Sequence, residues 1–491
     1  MSGLVRPTGI EPVTYGSVDR HSIQLSYGRT TMIVFHFPRL ASRTVRISGQ
    51  RGSSDAHKSV IIWLPMKTRA EVCVIGGGAA GMLAALSAAR HLKASGHGGS
   101  VLILERNRVL GRKLAITGKG RANVTNARSL DEFVHAFGSS GRFLYPAFES
   151  FFSDDLVALF AEAGLQLKTE RGGRVFPVTD KAQDVVQALG LLLVRDGVDI
   201  LYSARVRSID AGSGDWTIGL EFGGSLRCRA VVVTTGGKSY PGTGSTGDGY
   251  KLLERVGHHP GRLLPGLVSL HCPEKWLREL AGTSLEGVAV EAWVGPKLLA
   301  RRQGEVMITD RGIGGPAVLS LSLAVTPALA ESQAVVLCMD LRPEKTLDQE
   351  LHDIEACGNA NKILVNVSRF LPRRMALELM RVWGIEGKGS TPLPKKTLAA
   401  VARSVKGVEL TCTGADPLVS AIITQGGVPL REVDPRSMGS RLVPGLFIAG
   451  ELLDLQAVTG GYNLQAAFST GFLAGRCAAE YVAKSPNGSK L

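Results

Sequence analysis

The chain is 491 residues long, with a net charge of +14, sixty glycines and only 6% aromatic residues. That length exceeds what one hydrophobic core supports, so two or three domains are expected, and the glycine content suits a turn-rich α/β protein that wraps backbone around a ligand. Seven cysteines (Cys73, Cys228, Cys272, Cys338, Cys357, Cys412, Cys477) are scattered and form no C-x-x-C, which argues against a disulfide framework, a zinc site or a dithiol centre and fits a reducing, cytoplasmic setting.

Residues 1–65 carry eight Lys/Arg against three acids and nine serines, without a sustained helical or strand period. Three readings compete for them: an organellar transit peptide, a disordered tail, or a non-native extension ahead of a start at Met66. The third is favoured, because a first strand beginning just after a methionine is how such domains usually open. The remaining +9 is read as spread along the chain, which indicates no dedicated nucleic-acid surface.

The first clear element runs Val72–Cys73–Val74–Ile75 into Gly76–Gly77–Gly78–Ala79–Ala80–Gly81, and the next apolar run, Val101–Leu104, ends on Glu105. Strand, glycine turn, small-residue helix, second strand and carboxylate make up the dinucleotide-binding fingerprint. Gly76 permits the turn, Gly78 lets backbone approach a pyrophosphate, and Gly81 lets helix and strand lie close. Val72–Ala89 lacks charge and reaches spanning length, but its glycine-rich centre suits a turn, so no membrane span is expected.

Leu110–Asn126 is a polar, glycine-punctuated candidate binding loop in which Asn123, Thr125 and Asn126 alternate as if lining a cleft. A helix is predicted around Asp154–Ala163, and another capped by Thr179 or Asp180 with Val185, Val186, Leu189, Leu192 and Leu193 facing the core. Strands near Ile200–Ile209, Trp216–Phe222 and Leu226–Val233 read as an antiparallel crossover, with Ala230–Val233 a buried parallel strand ending at Thr235–Gly236–Gly237. The glycine-dense loop Lys238–Gly249 opens a helix over Tyr250–Val256. From 262 to 411 the pattern shifts to short strands and Arg/Leu-rich helices, as in an inserted domain. The nucleotide-binding pattern returns at Gly426–Gly427, Leu442–Glu451 and Thr459–Phe468. The domains are therefore expected as 66–261 and 412–491 for the two parts of a nucleotide-binding domain, with 262–411 as the insert.

Taken together, Ile75–Gly81, Gly111–Asn126, Gly173–Pro177 with Asp180–Lys181, Thr235–Tyr250, Gly304–Pro316 and Gly445–Ala467 resemble the BaiN/aminoacetone oxidase-like group of single-Rossmann, FAD-dependent flavoproteins. The resemblance covers about Met66 to Lys484. It implies a Rossmann-like FAD-binding α/β domain, a parallel sheet with an antiparallel crossover, interrupted by an insert with a β-barrel-like part and a helical part. It implies that Gly76, Gly78, Ala79, Ala80 and Gly81 cradle the pyrophosphate of FAD, Glu105 meets the adenosine ribose, Val206 meets adenine by its backbone, and Arg106 is a further cofactor-binding residue. Lys113, Gly118, Arg121 and Asn123 are expected on the flavin side, with Thr235, Gly236 and Gly237 beneath it. Gly450, Glu451 and Asp454 are expected at the ribityl and phosphates, and Gly461, Tyr462, Asn463 and Gln465 at the isoalloxazine edge.

The implied activity is hydride transfer between a small organic substrate and flavin N5, with NAD(P)H as a transient donor and a reductase favoured. An oxygen-using amine-type oxidase, a flavin-dependent tRNA-modifying enzyme and a non-catalytic redox sensor are the alternatives. Catalytic candidates are Arg121 and Lys119 for an anionic or carbonyl group, and Tyr462 or Asp310 for proton delivery. The group usually has a His where Asp310 stands and often a Cys where Ala122 stands, so neither of those side chains is available here.

Overall fold

A computed structural model describes residues 68–484; the expectations for residues 1–65 lie outside them. Arg69–Ile75 is a central strand whose Val72, Val74 and Ile75 are buried, as β-branched residues are when a parallel sheet is covered on both faces. It pairs in parallel with Val101–Leu104 on one side and Ser225–Val233 on the other, and Asp199–Leu201 extends the sheet beyond Val101–Leu104. Ser225–Val233 is long enough to serve two partners. Its first half pairs antiparallel with Trp216–Leu220, and its second half runs parallel to Leu446–Ile448. The last part of the chain thus supplies a strand to a sheet begun at residue 69.

The Ala79–Ala94 helix packs along the Tyr462–Lys484 helix. Side chains at the crossing are so small that a Cβ at Gly471 or Gly475 would run into the carbonyl oxygens of Ala80 and Ala84. This close approach brings the starts of the two helices to one end of the sheet. The segment weighed as a membrane span is this strand, turn and helix, and among the described residues no helix is long and apolar enough to cross a membrane.

Three local expectations need correction. The strand drawn over Ile200–Ile209 is two strands, Asp199–Leu201 and Val206–Ala211. The chain turns at Ser203 (φ 54°) because Ser203 and Ala204 donate their N–H groups to the Asn107 and Glu105 carbonyls. The Ala182–Arg195 helix is preceded by Lys181, and neither Thr179 nor Asp180 caps it. Asp180 adopts φ 56° and gives its carboxylate to Arg121 and Lys168. The helix after the glycine-dense loop begins at Asp248, two residues before Tyr250.

A second buried cluster, drawn from Leu270 to Cys412, is separate from the one that fills the nucleotide-binding sheet. Its sheet runs Val408–Cys412, Val335–Asp340, Ser284–Val294, Lys297–Thr309, Gly312–Gly314, Leu270–His271 and Gly414–Ala415 in spatial order. The two outer strands are one segment interrupted only at Thr413, whose N–H donates to the His271 carbonyl, so the sheet curls round into a barrel. Lys275–Glu279 and Pro316–Ala330 pack into this core, and four further helices, Leu347–Cys357, Ala360–Val367, Arg373–Val382 and Lys395–Lys406, complete this part.

The positive charge is not evenly spread along the chain. Residues 359–407 contain ten Lys/Arg and two acids, a net of +8.

Candidate active site

An elongated cavity of about 380 Å³ lies at the ends of the parallel strands, the place where open α/β sheets bind ligands. One end is built by the glycine turn. Gly76 has φ 103°, and a Cβ there would stand 2.7 Å from the Thr234 carbonyl oxygen. Gly77 N–H donates to Glu105 Oε2 at 2.7 Å, while Glu105 Oε1 accepts from the N–H and side chain of Asn107, each at 2.7 Å. The buried carboxylate therefore holds the turn in shape as well as lining the cavity.

Gly78 precedes the Ala79–Ala94 helix with no side chain capping it and no acid in the first turn. A Cβ at Gly78 would meet nothing within 4 Å. Free helix N–H groups and the positive end of the helix dipole thus face open space, the chemistry a diphosphate requires. Gly76, Gly78, Ala79 and Ala80 line the cavity, whereas Gly81 stands behind it, where a Cβ would collide with the Gly76 carbonyl.

Beyond Glu105, Val206 lines the cavity as expected for adenine, joined by two residues the sequence did not single out, Arg205 and Asp248. Arg106 donates to Thr246 Oγ1 at 2.6 Å and Asp248 Oδ2 at 3.0 Å, and Arg205 Nε donates to the same carboxylate oxygen at 2.8 Å. Burial acts to raise the Asp248 pKa, but the two guanidiniums outweigh it and hold the group low. Their lining position is thus combined with clamping the glycine-dense loop. Only pairing across 140 residues reveals this role.

Midway, Lys113 Nζ lies 2.6 Å from both Glu451 Oε2 and Ser239 Oγ. Glu451 Oε1 accepts from Thr424 N–H at 2.8 Å and from Ser239 Oγ at 3.1 Å. Burial works against the Glu451 charge, yet Lys113 and these donors keep its pKa below the usual carboxylate value. Thr235, Gly236 and Gly450 also line this stretch, and Thr235 Oγ1 is buried with no hydrogen-bond partner. Gly237 does not line it, since a Cβ there would run into the Thr424 side chain. Asp454 also lies outside the lining, accepting from Gln456 Nε2 at 3.0 Å.

At the far end, Gly118, Asn123, Gly461 and Asn463 line the cavity, but several side chains there are committed elsewhere. Asn463 bonds both the N–H and carbonyl of Ala457 at 2.9 Å, closing the 457–463 turn. Gln465 is fully buried and donates to Ser469 Oγ at 3.0 Å. Thr125 and Asn126 are buried in a short strand, so only Asn123 of the alternating trio reaches the cavity.

None of the four catalytic candidates lines the cavity. Arg121 is held by Asp180 and Glu170 with its guanidinium 4.3 Å above the Phe176 ring. Lys119 is exposed on a strained stretch where both it and Ala122 adopt left-handed backbone, φ 57° and 55°. Tyr462 packs edge-on against Phe133 at 4.8 Å. Asp310 is exposed in the turn after Lys297–Thr309, in the insert.

The open helix start, the clash-free Gly78 and the orphaned Thr235 hydroxyl fit a dinucleotide lying along the cavity. Fold and site together define a Rossmann-type FAD-dependent oxidoreductase. The chain belongs to the HI0933-like family, whose Rossmann-domain model matches residues 70–477. It is 32% identical over 416 residues to a 3-dehydro-bile acid delta(4,6)-reductase of Clostridium scindens, covering 83% of this chain and 98% of that protein. Ribosomal RNA dihydrouridine synthases of Escherichia coli (29% identical, 84% of this chain and 98% of that one) and Haemophilus influenzae (27%, 83% and 98%) are also similar.

Proposed function

We propose that this enzyme is a reductase that saturates a carbon–carbon double bond conjugated to a carbonyl, by hydride transfer, with NAD(P)H as donor. When bound, FAD supplies the two-electron carrier that this exchange needs. Gly76, Gly78, Ala79 and Ala80 hold its diphosphate, Glu105 and Val206 the adenosine, and Lys113, Thr235 and Glu451 the middle. The relatives' names support the reaction class: a delta(4,6)-reductase and a dihydrouridine synthase both remove unsaturation next to a carbonyl.

The observation that carries the reading is the lining at the far end. Leu267, Ile422, Ile423, Leu455 and Leu464 line it with Thr459, Gly460, Gly461 and Asn463, and the ionisable side chains beside them, Lys113 and Glu451, are already paired with each other at 2.6 Å. A neutral conjugated carbonyl needs no counter-charge there, whereas an ammonium substrate would be desolvated without one. Negative charge developing on a carbonyl oxygen is favoured instead by the start of the Tyr462–Lys484 helix.

The test is anaerobic stopped-flow reduction of the bound flavin by NADH and NADPH, followed by reoxidation with oxygen, with amines and with a panel of conjugated enones and uridine-containing oligonucleotides. Rapid reduction by a nicotinamide and rapid reoxidation by an unsaturated carbonyl are expected. Reduction by amines, with fast oxygen turnover and peroxide release, overturns the proposal.

A further inference from the structure

Of the ten cations of residues 359–407, Lys406 is mostly covered and paired with Asp340, but the rest lie on the surface. Lys362, Arg369, Arg373, Arg374, Arg381, Lys388, Lys395, Lys396 and Arg403 are all exposed, and of these only Arg381 forms an ion pair among the described residues, with Glu378. Their spacing puts them on outward faces. Arg373, Arg374 and Arg381 fall within about a third of a helical turn of one another, as do Lys396 and Arg403. The opposite faces are fixed in the insert core by Met375, Leu379, Leu398 and Val401. Three consecutive helices thus present cations while their apolar sides are already used.

We infer that the helical part of the insert is an RNA-docking surface. A density of one unpaired cation about every five to six residues, displayed on several helices, suits a polyanion whose phosphates repeat in space. An anionic membrane is disfavoured, because interfacial helices need a broad apolar face free to enter the lipid, and here most apolar side chains are in the core, with only Val365, Leu377 and Val382 exposed singly. The inference deepens the reductase reading: the bond to be saturated is carried on a base of structured RNA, held by phosphate contacts remote from the flavin cavity. Docking contacts of this kind fix register and carry little sequence information.

Binding of the FAD-loaded full chain to a fluorescein-labelled RNA stem–loop is measured by anisotropy across a salt series. A quadruple variant, Arg373→Gln, Arg374→Gln, Lys395→Gln and Lys396→Gln, is compared with one of identical charge change elsewhere, Lys93→Gln, Arg142→Gln, Arg171→Gln and Arg207→Gln, all exposed positions. The insert variant is expected to bind about tenfold or more weakly at physiological salt, with a log–log salt slope shallower by about 3. Flavin content and melting temperature stay at wild-type values, and the control set changes affinity less than threefold. Equal weakening by the two sets overturns the inference, as does a wild type that ignores the stem–loop or prefers vesicles containing phosphatidylglycerol. Because the assay involves no turnover, its failure is distinct from failure of nicotinamide-driven reduction.

Discussion

Lys113 Nζ and Glu451 Oε2 stand 2.6 Å apart, although 338 residues separate them in sequence. Each keeps about a fifth of its side chain exposed, so the pair is shielded enough for its partners to matter and open enough to face a ligand. Lys113→Met leaves a carboxylate with only neutral donors. We expect a loss of about 2 kcal/mol, less than for a fully buried pair, and FAD held at least tenfold more weakly. The depressed Glu451 pKa adds stability that is complete above its unfolded value, about 4.5, and is lost as pH falls through the lower folded value. Wild-type stability should therefore fall more steeply than that of Glu451→Gln below about pH 4.5. Urea titrations across the acid range that give parallel profiles contradict this.

Two glycines of one turn should behave oppositely. A Cβ at Gly81 collides with the Gly76 carbonyl and one at Gly78 meets nothing within 4 Å. Gly81→Val should cost about 3 kcal/mol or more and yield little folded protein. Gly78→Val, at φ −80°, should melt near the wild-type apoprotein yet purify colourless. A yellow Gly78→Val protein would remove the diphosphate from this end of the helix.

Thr235 Oγ1 has no partner to lose. Thr235→Val should leave apoprotein stability within about 0.5 kcal/mol, or raise it. If the hydroxyl bonds the cofactor, the Kd for FAD rises about fivefold, the worth of one hydrogen bond near 1 kcal/mol. Titration of the apoprotein with FAD reads this directly, and an unchanged Kd assigns the hydroxyl no such role.

His258 is buried between Glu432 Oε2 at 2.9 Å and Ser440 Oγ at 2.8 Å, with His259 on the other carboxylate oxygen. Burial lowers its pKa from the ordinary 6.5 despite Glu432. The fold thus favours the neutral ring, and the stability this adds is whole above about pH 6.5 and declines as pH drops below it. Between pH 7 and 5.5 the wild type should lose stability that His258→Gln does not. Melting curves with equal pH slopes for both proteins would rule the coupling out.

The glycine turn, Glu105 and the sheet strands were legible in sequence because their demands are local: a left-handed backbone at Gly76, an apolar run ending in a carboxylate. Side-chain destinations were not. Arg121 looked poised over a flavin until Glu170, Asp180 and Phe176, all distant in sequence, took it. Asn463 and Gln465 sit at the expected helix start yet bond Ala457 and Ser469. Arg205 and Asp248 gave no motif, since their role exists only once the strand and the glycine-dense loop meet. The basic cluster in the insert was hidden by averaging charge over a chain whose other parts pair much of theirs.

Because Leu446–Ile448 and the Tyr462–Lys484 helix complete a sheet opened near residue 69, a ribosome must have made the chain through this helix before a flavin nucleotide has a place to rest. The barrel and its helices emerge while their host is still half-built and have to fold in the interim. A flavin present during translation therefore acts only once Leu446–Lys484 has returned to the strands that begin at Arg69.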